Sequence, residues 1–542
     1  MEEILNQKPC VVQKIETPQG FSVSYKEHLL YSKYNPSKNI ITAVEKLQIL
    51  PGTIILCCSP LLGYGLSELL NKLPENCLII LCEAEQELFD LTVSENCLQF
   101  SDNRIMNFKP EELNNIPIKL YDLATNGLYK RVTRLDMSAG TQFHKEYYDN
   151  LFSACSDSVM TFWKNRITLT KFGRRYSKNL FENLHYLSDS KPITDFFNAI
   201  EKPIIVFGAG ESTQKLINKL LCCFTPLNYK LEDFFILCAD TAFQPLLKNG
   251  IHPDGVFVEE AQAVITKAFI GVPEDIQFFA GLSSIPTLAH KAGCKNISYF
   301  FTEYTKAKFI ENLNELSFMP PANLPFGSVG LTAVYYALKF RRNNSVPVYV
   351  TGLDFSYSLG VTHTKNAMAH ILRLITSNKL NSIANYNAAF GTVTEKLIDK
   401  SGNLFITTPS LKNYSMMFNN FFGDTKNLFD SGECGISLDI PQKFPESFEN
   451  TEISFNKTSY TVSQKSDIQN YLTDEKNALE YLRNLLTGKT DFTGNKLSEE
   501  IRKIVEPREY LYLHFPDGYK FTLNQSFLNR IRTEIDFFLK YL

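Results

Sequence analysis

Six short apolar runs, separated by stretches of helical periodicity, constrain this chain more than any other feature. Between Lys202 and about Pro409 they read PIIVFGAG, FFILCAD, GVFVEEA, IQFFAGL, ISYFFTE and PVYVTGLDF. Alternation of strand-like and helix-like segments predicts an α/β fold with a mostly parallel sheet flanked by helices. In such a sheet a ligand binds beyond the carboxyl ends of the strands. The residues that end each run are therefore the ones to inspect for chemistry.

The chain has 542 residues, too many for one domain. Residues 1–143 contain a βαβ-like unit: the apolar run Thr53 to Cys58, the loop SPLLGYG from Ser59 to Gly65, an amphipathic stretch to Leu73, and CLIILCEAE. This predicts a Rossmann-like N-terminal domain. Glu83 stands at about the spacing of a ribose-binding acid, while the loop carries bulky Leu62 and Tyr64. Both a structural turn and a nucleotide site fit that pattern. Residues 144–200 become aromatic-rich and helical, as in HKEYYDNLFSACSDSVMTFWKN, and read as a helical connector. The alternating region spans 201–430. From 431 to 542 the chain is charged, with apolar residues at i, i+3 and i+4, which predicts a C-terminal helical domain.

Fifty-five basic residues against fifty-eight acidic ones leave a net charge of −3. No overall field recommends nucleic acid or an anionic membrane as partner. The start, Met1-Glu2-Glu3-Ile4, has no basic and apolar leader pattern, and no run of about 18 apolar residues occurs. A cytoplasmic protein with no integral membrane segment is expected. The twelve cysteines, including the pairs Cys57-Cys58 and Cys222-Cys223, form no C-x-x-C, and the eight histidines form no H-x-x-x-H. Reduced core thiols and no structural metal follow from that spacing.

Four strand ends stand out. Gly208-Ala209-Gly210-Glu211-Ser212-Thr213 joins a strand to a helix; it is a phosphate-binding turn, with Ser212 or Thr213 as cap, or a plain tight turn. Asp240 and Thr241 end the next run, and Glu259, Glu260 and Gln262 the one after; they bind a ligand or cap and solvate the chain. In PFGSVGLTAVYYALKFRRNNSVPVYVTGLDFSYSLGVTHTKN, Gly327-Ser328 precedes a helix and a later strand delivers Asp354, followed by Tyr357 and His363. Helix-end amides and hydroxyls hold phosphate, and an imidazole titrating near 6.5 takes a proton from an attacking hydroxyl. A surface histidine fits the same position.

Taken in order, GAGEST, CADTAFQPLLKNGIHPDGVFVEEAQ, GSVGLTAVYYAL, VYVTGLDFSYSLGVTHT and, more loosely, LFITTPSLKNY with DSGECGI resemble the motility-associated-factor (Maf) family. NRITLTKFGRRYSKNL also looks like the start of that family's central domain. These are glycosyltransferases of bacterial flagellin, whose central domain is similar to 6-hydroxymethylpterin diphosphokinase (MptE-like) proteins and to sialyltransferases. The resemblance covers residues 204 to about 435. It implies transfer of a nonulosonic, sialic-acid-like sugar from a CMP-activated donor to serine or threonine hydroxyls of flagellin, without metal or further cofactor. By that likeness Gly208, Gly210 and Ser212 face the CMP, Asp240 and Thr241 its cytidine side, and Ser328 the phosphate or sugar carboxylate. Gln262, Gly327, Asp354 and Tyr357 complete the implied donor-binding set, and His363 is the implied base, with His370 or Glu260 as substitutes. The family usually has aspartate where this chain has Glu259-Glu260, which leaves the donor open. Two other readings stand beside it: diphosphate transfer from ATP to a pterin-like hydroxyl, with Mg²⁺ on Asp240, Glu259, Glu260 and Asp354, and a non-catalytic flagellin-binding protein.

Overall fold

The computed structural model describes residues 12–542 except 96–101, 222–230, 274, 359–360, 381, 383–393, 446–464, 490 and 518–519. The four segments read from the sequence are distributed over two compact units, Met1–Lys171 with Leu513–Phe521, and Phe172–Tyr512 with Thr522–Leu542. One helix of 43 residues, Lys145–Leu187, contributes residues to both.

In the first unit a small antiparallel sheet, β1 (Gln13–Thr17), β2 (Gly20–Tyr25) and β3 (His28–Leu29), precedes a parallel one. The parallel strands are β4 (Thr53–Cys58), β5 (Leu78–Cys82), β6 (Ile105–Phe108) and β7 (Arg131–Asp136), in the order β6-β5-β4-β7. That is the order of a Rossmann half, with β4 central and its successors on both sides. Alternate side chains of β4 serve two cores: Ile54, Leu56 and Cys58 meet Tyr148, Leu151 and Cys155, while Ile55 and Cys57 meet Ile40, Val44, Leu66 and Leu69. Glu83, at the position of a ribose-binding acid, is 2% exposed. It accepts from Ser59 Oγ (2.6 Å), Tyr148 OH (3.1 Å) and the Glu85 amide (3.1 Å). Its carboxylate is consumed inside the fold, which agrees with the structural alternative for this turn.

The second unit is built on a sheet of eight strands: β8 (Ile204–Phe207), β9 (Phe235–Ala239), β10 (Gly255–Val258), β11 (Gln277–Gly281), β12 (Ile297–Thr302), β13 (Ala322–Asn323), β14 (Val348–Thr351) and β17 (Leu428–Asp430). Between β14 and β17 the chain makes a separate antiparallel pair, β15 (Glu395–Ile398) and β16 (Leu404–Thr407). The order is β13-β12-β11-β10-β9-β8-β14-β17, and every pairing in it is parallel. Strands β8 to β13 step outward one way, and β14 returns to the other side of β8. The β8–β14 seam is therefore the topological switch point, where the connections leave a crevice at the carboxyl ends.

An aromatic layer fixes the helix that borders this crevice. Helix Val329–Phe340 lays Tyr336 and Phe340 against Phe257 and Phe279, with ring centroids 5.7 Å apart for Phe257–Tyr336 and 4.9 Å for Phe279–Phe340. Since a crossover helix runs back against the strands, its first residue, Val329, comes to the carboxyl edge of the sheet. Helices Lys465–Leu486, Gly494–Val505 and Gln525–Phe538 pack together through buried Leu479, Leu482, Val505, Ile531 and Ile535. Cys57, Cys58, Cys77, Cys82, Cys155, Cys238 and Cys434 are buried free thiols, and Cys222-Cys223 lie outside the described residues. No helix among the described residues is long and apolar enough to cross a membrane.

Candidate functional site

Two loops cross at the switch point, and glycine lets them touch. Phe207 faces Thr351 in the β8–β14 pairing, so Gly208 and Gly352 leave the sheet side by side. The Gly208 amide donates to Thr351 O (2.8 Å) and the Gly210 amide to Gly352 O (2.9 Å). A Cβ on Gly208 would sit 2.4 Å from Gly352 O, and one on Gly210 would sit 2.5 Å from Asp354 Oδ2. Gly352 adds a φ of +71°, a region that favours glycine. The close approach of the two loops, backbone at Gly208 and the Asp354 side chain at Gly210, demands these glycines.

The same crossing corrects the role expected of Ser212. Helix Glu211–Leu221 starts at the turn, and the Ser212 amide donates to Asp354 Oδ2 at 2.8 Å. A carboxylate already occupies the helix start that a phosphate was expected to take. The Ser212 hydroxyl is buried and engaged with Cys434, accepting from its amide at 3.0 Å. Burial pushes Asp354 up to about 6, against the hydrogen bonds from Ser212 and the charge of Lys400, with Asp430 adding to the rise. DSGECGI closes from beneath: the Ser431 amide donates to Val350 O and the Ile436 amide to Asp354 O. These residues, which the resemblance included although the domain boundary at 430 divides them, belong physically to the switch point.

Above the crossing lies a cavity of about 250 Å³. It gathers Gly208, Gly210, Asp240, Thr241, Gly327, Ser328, Asp354, Tyr357 and His363 from the residues singled out in the sequence. Ser212 and Gln262 do not line it. The Gln262 amide instead donates to Glu260 Oε1 at 2.9 Å, and Glu259 accepts from Thr302 Oγ1 and, at 2.9 Å, from Thr332 Oγ1. Those polar residues satisfy one another beside the sheet edge.

The second helix start is open. Ser328 has extended backbone and makes no side-chain cap, and its carbonyl accepts from Leu331 and Thr332. No described residue accepts from the amides of Val329 and Gly330, which leaves two donors and the positive helix end at the cavity wall. Opposite them, Tyr357 is held by paired backbone bonds with Ile406, 2.9 Å in each direction.

Ser356, Thr362 and Tyr414 also line the cavity and were not singled out. Tyr414 does have a signal: Thr408 caps helix Pro409–Phe422 by accepting from the Leu411 amide (3.3 Å), and Leu411 and Tyr414, three apart, share one face. His363 is held down at about 4, first by burial and then by His370 and Arg373, so it is a neutral proton acceptor at neutral pH. Its Nδ1 lies 3.2 Å from Thr362 Oγ1.

Burial pushes Asp240 up to about 6, with Thr241 hydrogen bonds opposing and Glu260 and Glu259 adding. An unfolded aspartate titrates near ~3.9, so the stability this group contributes is present below about pH 4 and is lost as pH rises through about 6. Asp240→Asn is expected to remove on the order of 2 to 3 kcal/mol of that fall. Urea unfolding of both proteins at pH 4.5 and 7.5 checks it; an unchanged pH dependence in the variant counts against the assignment.

Residues 175–360 match the family model described as 6-hydroxymethylpterin diphosphokinase MptE-like. Over 97% of its length the chain is 30% identical to an uncharacterized protein of Treponema pallidum (strain Nichols), 94% of which is covered. The solved structure of the Maf glycosyltransferase from Magnetospirillum magneticum AMB-1 aligns with a TM-score of 0.51 at 12% identity, over 98% of this chain and 91% of that one, a likeness of fold.

Proposed function

The chain belongs to the family of that Treponema pallidum protein, and from its Maf-type fold and switch-point cavity we propose that it is a glycosyltransferase moving a nonulosonic, sialic-acid-like sugar from a CMP-activated donor to serine or threonine hydroxyls of flagellin. One observation carries this: an open helix start, a set of hydroxyls and a neutral histidine share a single cavity.

In this reading the amides of Val329 and Gly330, with the Ser328 and Tyr357 hydroxyls, hold the single phosphate of CMP and the charge that grows on it as it leaves. Asp240 and Thr241 face the cytidine side. The acceptor oxygen bonds to the anomeric carbon as the carbon–phosphate-oxygen bond breaks; the electron pair stays on the phosphate and the acceptor proton passes to His363. The donor is the one cofactor-like molecule this chemistry uses. A protein acceptor is supported by helix Met368–Thr376, which follows the cavity loop, buries no residue and leaves Leu374 58% and Ile375 73% exposed.

The family-model match favours a second reading, diphosphate transfer from ATP. Of the four carboxylates proposed to carry Mg²⁺ there, Asp354 is committed to Ser212 and Glu259 to two threonines. Calorimetry with CMP, UMP and ATP, each with and without Mg²⁺, separates the readings. CMP binding that survives EDTA is the expected result. Binding of ATP alone, and only with Mg²⁺, favours the kinase; no nucleotide binding at all leaves a non-catalytic flagellin-binding protein.

A further inference from the structure

A hydroxyl joins two imidazoles at the cavity rim. Thr362 Oγ1 lies 3.2 Å from Nδ1 of His363 and 3.5 Å from Nε2 of His370, and the two rings stand 6.1 Å apart at 83°. Burial and Arg373 hold His370 below its usual value as well, so neither ring is protonated twice at neutral pH. The other titratable groups sharing the cavity with His363 are Asp240, Asp354, Tyr357 and Tyr414. A hydroxyl has one hydrogen to donate, and a neutral imidazole has one donor and one acceptor nitrogen.

Because the hydroxyl oxygen has two lone pairs, three arrangements satisfy both contacts. In one, His363 donates from Nδ1 to Thr362, Thr362 donates to His370 Nε2, and His363 keeps a lone pair on Nε2. In a second every bond reverses, and His363 carries its hydrogen on Nε2. In the third both rings donate to the hydroxyl oxygen, and His363 again keeps its lone pair on Nε2. The first and third make His363 a base. Among the described residues nothing hydrogen-bonds to His363 Nε2, and His363 lines the cavity.

We propose that Thr362, accepting from His363 Nδ1, is a positioning residue that holds His363 in the tautomer protonated on Nδ1 and leaves Nε2 as the proton acceptor. This rests on the reading of His363 as general base. Sequence inspection quoted Thr362 only as part of the segment VYVTGLDFSYSLGVTHT and gave it no role, and His370 entered only as a substitute base.

Long-range ¹H–¹⁵N correlation spectra of the histidine-labelled full chain test the assignment without donor or acceptor. At pH 7, His363 is expected protonated on Nδ1 in the wild type and in Thr362→Ser, and shifted toward the Nε2-protonated form in Thr362→Val. In a transfer assay Thr362→Val should lower kcat at least roughly tenfold with CMP affinity unchanged, and Thr362→Ser should restore it. Wild-type His363 protonated on Nε2, or a tautomer that Thr362→Val does not move, overturns the proposal. If the spectra behave as expected while no variant transfers sugar, the tautomer assignment stands and the glycosyltransferase reading is what fails.

Discussion

Gly210→Ala is expected to destabilise the second unit by roughly 3 to 5 kcal/mol, enough to leave much of it unfolded at physiological temperature. The added methyl would meet Asp354 Oδ2 at 2.5 Å and Gly352 O at 2.8 Å. One neighbour is backbone and the other a buried carboxylate bonded to the Ser212 amide, so neither yields cheaply. Overpacking of this kind costs ~1–3 kcal/mol, and loss of a charged hydrogen bond to a buried amide adds ~1.5–3 kcal/mol. Gly330→Ala provides the contrast, because its methyl would meet Leu353 Cδ2 at 2.3 Å, the far end of a flexible side chain. That variant should be the milder of the two. Urea unfolding, with hydrogen exchange at Ser212, measures both; a Gly210→Ala protein with a native midpoint and a protected Ser212 amide would show that the crossing is slack. A bulky residue at Gly210 is accordingly expected to abolish ligand binding by breaking the fold, since the space beside that Cα is filled with protein.

How far the sequence reveals this site depends on the range of each interaction. Parallel βα alternation is a local property, and the six apolar runs locate β8 to β12 and β14 to within a few residues. The placement of β14 beside β8 is not local, because no run states its partner; it becomes visible only as the Phe207–Thr351 register. The same limit governs the motifs. Ser212 and Asp354 were each singled out for a ligand, on the sound ground that a cap residue and a polar strand end attract one. They are 142 residues apart and bond to each other. Glu259 likewise finds its partners on two other elements, at Thr302 and Thr332. What remained free for a ligand, the Gly327–Gly330 helix start and the hydroxyls around it, was legible at Ser328 and Tyr357. It was not legible at Ser356 or Thr362, whose residue types are common, and at Tyr414 only through the Thr408 cap and the face shared with Leu411; the convergence of all three on the cavity is tertiary.

His363→Ala is expected to lower transfer by roughly 10²- to 10⁴-fold while CMP affinity stays within about twofold, because a general base acts on the acceptor and leaves donor contacts alone. The pH profile distinguishes this role from a structural one. Burial, His370 and Arg373 hold the imidazole down at about 4 in the free protein, so His363 stays an acceptor well below the usual histidine range and loses that capacity as pH falls through about 4. The acid limb of kcat/KM, which reports the free enzyme, should therefore lie near pH 4. A bound donor brings a phosphate charge into the cavity, and a nearby anion favours the imidazolium. The acid limb of kcat, which reports the complex, should then lie above that of kcat/KM. That displacement toward neutrality is what makes a histidine buried at 4 a competent base during turnover, since proton transfer is most effective when the acceptor's pKa approaches the working pH. Undiminished transfer by His363→Ala, or acid limbs that coincide near 6.5 in both parameters, would remove His363 from the chemistry and pass the role of base to His370 or Glu260.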